Sequence, residues 1–247
     1  MKLRLGAAVI LAALTPLTAV TAPSPASAGV DITPPEVGSC HAYTKAEGAG
    51  KSDFTPVVEC TEPHTAITVA VVEFEVAPDW DDPDALDQAL SDECYPAWYD
   101  ALGGNIKTIQ RSAYITYIFI PTRAQRDAGA AWLRCDVALQ GGTKLMNLPD
   151  RLALGGLPLP DRVAKCRANE RADYAYTVCS RPHAFRATHS VKYPHSSYPG
   201  LRASKRFALR ECRERIRTPY MFYEWVGSRA AWRAGYRHAV CLKQTTR

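Results

Sequence analysis

The apolar residues of this chain change period several times, and each change marks an element. From Thr65 to Phe74, TAITVAVVEF is β-branched and apolar on both faces, which predicts a buried strand. From Ala184 to Tyr193, AFRATHSVKY alternates. Phe185, Ala187, His189, Val191 and Tyr193 fall on one face and Arg186, Thr188, Ser190 and Lys192 on the other, so one face should be wet. Two stretches carry helical spacing. In DPDALDQALSDEC, Leu86, Leu90 and Cys94 share a face, Asp82 is placed to cap the start, and Pro83 suits the first helical position. Pro96 should end or kink that helix. In LRASKRFALRECRERI, Leu201, Ala208, Cys212 and Ile216 form the matching stripe. Strands rich in aromatic residues begin at Tyr114 and Tyr220, and a last cysteine-bearing strand follows each. The expectation is an α+β fold of two tandem small domains, each an antiparallel sheet with one packed helix.

The series runs twice. CTEPH (Cys60 to His64) falls on CSRPH (Cys179 to His183) under a shift of 119, which also lays Val72 and Phe74 on Val191 and Tyr193. A shift of 106 lays YITYIFIPTRAQRDAGAAWLRC on YMFYEWVGSRAAWRAGYRHAVC. It pairs Tyr114/Tyr220, Tyr117/Tyr223, Arg123/Arg229, Gly129/Gly235 and Cys135/Cys241 without a gap. We read this as a duplication, with one copy over residues 29–142 and the other over 163–247. Between them, residues 143–162 form a connector rich in Gly, Leu and Pro. Its punctuation argues against a long helix or central strand. Its leucines argue for a segment lying against one or both domains rather than a free tether.

The first 28 residues change how the cysteines are read. Lys2 and Arg4, an apolar stretch interrupted by Thr15, Pro16 and Thr18, and Ala26-Ser27-Ala28 predict a secretory signal peptide cleaved near Ala28. The mature chain is then secreted, into a compartment where cysteines oxidise. All eight lie in that part: Cys40, Cys60, Cys94, Cys135, Cys166, Cys179, Cys212 and Cys241. Four cysteines per copy allow three pairings. Sequence neighbourhood favours Cys40–Cys60, Cys94–Cys135, Cys166–Cys179 and Cys212–Cys241. A zinc site would need a close cysteine pair, and the chain has none. No metal and no cofactor is expected.

VGSCHAY (Val37 to Tyr43), VVECTEPHTAITV (Val57 to Val69) and WRAGYRHAVC (Trp232 to Cys241) together resemble the septum-formation family of exported and membrane-anchored bacterial proteins. The motif residues are Gly38, Pro63, His64 and Gly129 in the first copy and Pro182, His183, Trp232 and Gly235 in the second, with the eight cysteines. The first copy has Arg126 where the second has Trp232, and the second lacks a glycine two residues before Cys166. The resemblance implies a role around cell division or the envelope, and no established reaction.

Charge separates the two parts. Residues 29–150 carry 8 Lys+Arg against 19 Asp+Glu, and residues 151–247 carry 20 against 6. Either the two parts attract and dock, or the basic part faces an anionic partner: cell-wall polymer, membrane surface or an acidic envelope protein. Nucleic acid is not expected of an exported chain. Arg202, Lys205, Arg206, Arg210, Arg213, Arg215 and Arg217 fall on one predicted helix, spread widely enough to suggest a broad basic surface. His64 and His183 are the sharpest candidates for chemistry. The residue two before each is Glu62 in one copy and Arg181 in the other, so no shared acid–base partner is visible there. The expected function is a non-enzymatic, envelope-associated binding protein. The alternative is a secreted hydrolase with an inter-domain site using His64 or His183.

Overall fold

The structure, a computed structural model, describes residues 29–245; the predicted signal peptide lies outside the described residues. The chain opens with β1 (Cys40–His41), α1 (Lys45–Gly48), β2 (Val57–Val58) and β3 (Ala66–Glu73). Helices α2 (Pro83–Ala89) and α3 (Tyr95–Ala101) follow, joined by a π turn over Leu90–Cys94. Then come α4 (Ile106–Ile109), β4 (Tyr114–Phe119), α5 (Arg123–Asp127), β5 (Trp132–Gly141) and β6 (Lys144–Met146). The second part holds β7 (Lys165–Arg167), β8 (Tyr176–Val178), β9 (Phe185–Lys192), α6 (Leu201–Ile216), β10 (Met221–Glu224), α7 (Arg229–Arg233) and β11 (His238–Gln244).

These strands form two antiparallel sheets of matching order. The first runs β2-β1-β3-β5-β4 with β6 also on β5, and the second runs β8-β7-β9-β11-β10. The fold is α+β. Four disulfides join Cys40–Cys60, Cys94–Cys135, Cys166–Cys179 and Cys212–Cys241, the pairing that sequence neighbourhood favoured. In each sheet one disulfide ties the first strand to the segment that ends in Pro-His. The other ties the helical segment to the last long strand, β5 or β11.

Each sheet carries a bulge at the same place. Thr68 pairs with Asp136 and Ala70 with Cys135, skipping Val69; Ala187 pairs with Leu242 and His189 with Cys241, skipping Thr188. The extra residue turns the strand over. The simple alternation read for β9 therefore breaks: Phe185 and Ala187 pack with Val240 and Leu242, whereas Val191 and Tyr193 join the helix-side clusters. β3 is also less buried than its composition suggests, with only Ala66 and Thr68 in the buried class. The gapless shift of 106 fails in one strand. Cys135 pairs with Ile118, while Cys241 pairs with Tyr223, so Tyr223 matches Ile118 and not Tyr117. One additional residue between β10 and β11 moves each aromatic side chain to the opposite face.

The helices differ between the parts for a local reason. Asp82 caps α2 by accepting from the Asp84 N–H, with Pro83 at its start. Pro96 does not end the helix. It has no N–H to give, and the Tyr95 N–H reaches back to the Leu90 carbonyl, so the chain passes through a π turn and continues as α3. α6, with no internal proline, runs unbroken, burying Ala208, Cys212 and Ile216 while Leu201 stays exposed at its start.

The largest apolar cluster belongs to both parts. Leu102, Ile109, Tyr114 and Val137 meet Val163, Val178 and Tyr236 there. Backbone bonds cross as well: Ala113 N–H to Val163 O at 2.8 Å, Lys165 N–H to Arg111 O at 2.8 Å, and Gly142 N–H to Tyr176 O at 2.9 Å. Within residues 143–162, β6 pairs with β5, the Leu148 N–H donates to the His64 carbonyl, and Leu152 and Leu154 pack on the shared cluster. Charge contributes little to this junction. Among the described residues, the ion pair between the two parts is that of Arg233 and Asp87, 3.5 Å apart, and both are substantially exposed.

Candidate functional site

Both Cys-x-x-Pro-His segments fold alike. The Glu62 N–H donates to the Glu59 carbonyl, and the Arg181 N–H donates to the Val178 carbonyl, forming the same turn. His64 Nδ1 then lies 2.8 Å from the Glu62 carbonyl, and His183 Nδ1 lies 2.8 Å from the Arg181 carbonyl. A carbonyl only accepts, so each ring carries its proton on Nδ1. This explains why residue 62 can be Glu in one copy and Arg in the other: the motif uses the backbone there, not the side chain. His183 is buried and His64 partly so. Sγ of Cys166, Sγ of Cys179 and a ring nitrogen of His183 lie within 4.8 Å of one another, but the two sulfurs are bonded together and offer no thiolate. Pro63 and Pro182 are exposed in the turn. Trp232 is buried against Tyr193 and Tyr198, and Gly235 ends α7 at φ +89°, matched by Gly129 at φ +100° after α5.

The basic residues of α6 are less scattered than the sequence suggests. At 100° per residue, Arg202, Arg206, Arg210 and Arg213 fall within a sector of about 80°, Arg217 follows at the C-cap, and all five are exposed. Arg215 leaves the row and pairs with Glu211 at 2.8 Å, while Lys205 Nζ sits 4.6 Å from the centre of the Trp225 ring. Arg210 also pairs with Glu211; Arg202, Arg206, Arg213 and Arg217 have no carboxylate partner among the described residues. Arg213 divides two open grooves. One, of about 500 Å³, is lined by Arg206, Leu209, Arg210, Arg213 and Glu214. The other, of about 580 Å³, is lined by Leu209, Arg213, Arg217, Thr218, Met221 and Tyr223 among others. Arg217 closes the helix in the left-handed region, φ 55° and ψ 32°. Glycine normally fills that position, and an arginine there costs roughly 1 kcal/mol of backbone strain.

A buried polar network lies under the first sheet, and sequence reading missed it. Arg134 donates to Asp53 at 2.6 Å and to Asp136 at 2.9 Å; Tyr43 and Thr68 also donate to Asp136. His41 Nε2 lies 3.0 Å from the Thr68 hydroxyl. Burial, then the Arg134 charge, pulls the His41 pKa down to about 4, and Asp53, 3.7 Å away, opposes this and loses. Burial raises the Asp136 pKa. It pushes Asp53 up as well, but hydrogen bonds from Arg134 and Thr55 leave Asp53 lowered overall. The only early signal was LRCDV, with two opposite charges two residues apart in an apolar strand.

The two parts also line a half-open cavity of about 260 Å³, with Trp98, Gln110 and Tyr114 from one part and Lys165, Glu224, Tyr236 and His238 from the other. Neither His64 nor His183 lines it. His64 borders a separate cavity of about 340 Å³ beside the Cys40–Cys60 disulfide.

Among the described residues, no helix is long and apolar enough to cross a membrane. No curated protein and no solved structure matches the chain. A family model described as septum formation matches residues 37–241, running from the glycine-cysteine segment before β1 to the last cysteine. The chain belongs to the septum-formation family.

Proposed function

We propose that the protein is exported and acts without catalysis, as a binding protein of the bacterial envelope that holds an anionic wall polymer along α6. The observation that carries this reading is the row of Arg202, Arg206, Arg213 and Arg217, exposed and without carboxylate partners among the described residues. Successive members of the five-arginine row rise by about 4.5–6 Å along the axis, so a linear chain of repeated charges can meet several at once. Arginine suits phosphate and carboxylate because its planar fork donates two parallel hydrogen bonds. Leu209, Met221 and Tyr223 give the flanking grooves an apolar floor for the polymer's uncharged atoms. Residues 29–142 and 163–247 are the two repeats in this reading; the acidic one adds no cations to the row and keeps attachment one-sided.

The test is retention on isolated cell walls across a salt series. Binding should fall steeply as salt rises, and Arg210→Ser/Arg213→Ser/Arg217→Ser should abolish most of it at low salt. Retention indifferent to both salt and these substitutions would exclude the ridge as the contact. Equal retention on anionic vesicles free of polymer would identify the membrane surface instead.

A further inference from the structure

The cavity between the two sheets gathers unsatisfied polar atoms. Trp98 Nε1, Gln110 Oε1, Tyr114 OH, Glu224 Oε1, Tyr236 OH and His238 Nδ1 are buried with no hydrogen-bond partner among the described residues, and all six residues line that one cavity. Tyr114, Tyr236 and His238 are 6%, 8% and 7% exposed. Native proteins leave few such atoms, because each costs about 1–3 kcal/mol. Six around one cavity is a concentration that packing alone does not explain.

We infer that this cavity is a binding site for a neutral, hydroxylated ligand of monosaccharide size. Its chemistry follows from the inventory of groups. Trp98 Nε1 can only donate, Gln110 Oε1 and the ionised Glu224 Oε1 can only accept, and the two phenols do either; hydroxyls, which both donate and accept, satisfy the whole set. Formal charge is already balanced, since Lys165 and Glu224 pair at 2.9 Å, so an ionic ligand finds no unpaired opposite charge. Burial lowers the His238 pKa, with nearby Lys107 and Lys192 acting in the same direction, which favours the neutral ring. Ile109, Val226, Ala231 and Val240 supply an apolar wall for the C–H face of a sugar ring. About 260 Å³ lies below the range of roughly 300–1,000 Å³ that holds drug-sized molecules, which limits the occupant to a single ring. The polar atoms lie within the wall, screened from solvent, so entry includes rotation of wall side chains. Trp98, stacked on Tyr236 with ring centres 5.3 Å apart, reports that movement.

The experiment titrates the exported, oxidised protein with glucose, mannose, galactose, arabinose, N-acetylglucosamine and, as a charged control, glucuronate. Tryptophan fluorescence and calorimetry give the readouts. Saturable millimolar binding of at least one neutral sugar, with glucuronate weaker, is expected. Tyr114→Phe and Tyr236→Phe each keep the ring and remove only the hydroxyl. Each should weaken binding about 3- to 10-fold while leaving thermal stability unchanged or higher. Gln110→Leu serves as a third variant should either phenylalanine substitution misfold. The Arg210/Arg213/Arg217 serine variant should bind sugar normally, which separates this site from the ridge. No saturable binding by any neutral sugar overturns the inference, as does binding unaltered by all three cavity substitutions.

Discussion

Arg134 and Val240 hold the same place in the two sheets, each one residue before the cysteine of the last long strand and each on the face turned away from the helix. Around Arg134 stand Asp53, Asp136, Thr68 and Tyr43. The places of Thr68 and Asp136 are taken in the second sheet by Ala187 and Leu242, in an apolar cluster with Phe185 and Phe222. One fold thus fills the same space with an ion network once and with an apolar cluster once, the Arg167 guanidinium lying over the Phe222 ring at the edge of the latter, 4.7 Å from its centre. Arg134→Val alone strands two carboxylates and should cost about 3–5 kcal/mol in urea unfolding. Arg134→Val combined with Asp136→Leu and Asp53→Asn should recover most of that loss, because the second sheet holds apolar Val240 and Leu242 at the places of Arg134 and Asp136.

Acid should weaken the first sheet through His41. Its folded pKa of about 4 lies below the ordinary 6.5, so the fold favours the neutral ring. Stability from this source is complete above pH 6.5 and disappears as pH falls toward 4, by up to about 3 kcal/mol. Asp53, also lowered, adds loss at still lower pH, whereas Asp136, raised by burial, acts with the opposite sign. Denaturant unfolding of His41→Gln between pH 7 and pH 4 should show a flatter dependence than wild type. An unchanged slope would mean that His41 already titrates normally in the fold.

His64→Ala and His183→Ala should act on folding. Each ring donates one hydrogen bond to a carbonyl two residues back, so each loss should cost about 1–2 kcal/mol. The cost should be larger at His183, which is 5% exposed. Thermal melts of the two variants measure this difference directly.

Arg217→Gly should separate stability from binding. Relieving the left-handed arginine should stabilise by roughly 0.5–1 kcal/mol, and removing its cation should weaken retention on cell walls at low salt. A variant that is stabler and binds equally well would take Arg217 out of the contact.

Some of this molecule was legible in its sequence because the signals are local. Asp82, Pro83 and the four-residue apolar spacing mark α2, and the order of the cysteines matches the four bridges. What escaped depends on distance or on a single residue. His41, Asp53 and Arg134 meet only once three elements have folded, and singly each looks like a surface residue. The bulges at Val69 and Thr188 and the slip between Tyr117 and Tyr223 are one-residue events that a gapless comparison hides. The cavity draws its lining from α3, α4, β4, β7, β10, α7 and β11, so no contiguous motif could announce it.

None of the four disulfides crosses between the two sheets, yet Leu102, Tyr114 and Val137 share a single apolar mass with Val163, Val178 and Tyr236. A protease that nicks the exposed stretch around Gly155 and Gly156 would therefore cut the thread without parting the cloth. Size-exclusion chromatography should still elute both fragments together, and denaturant with the bridges left intact should be enough to release them.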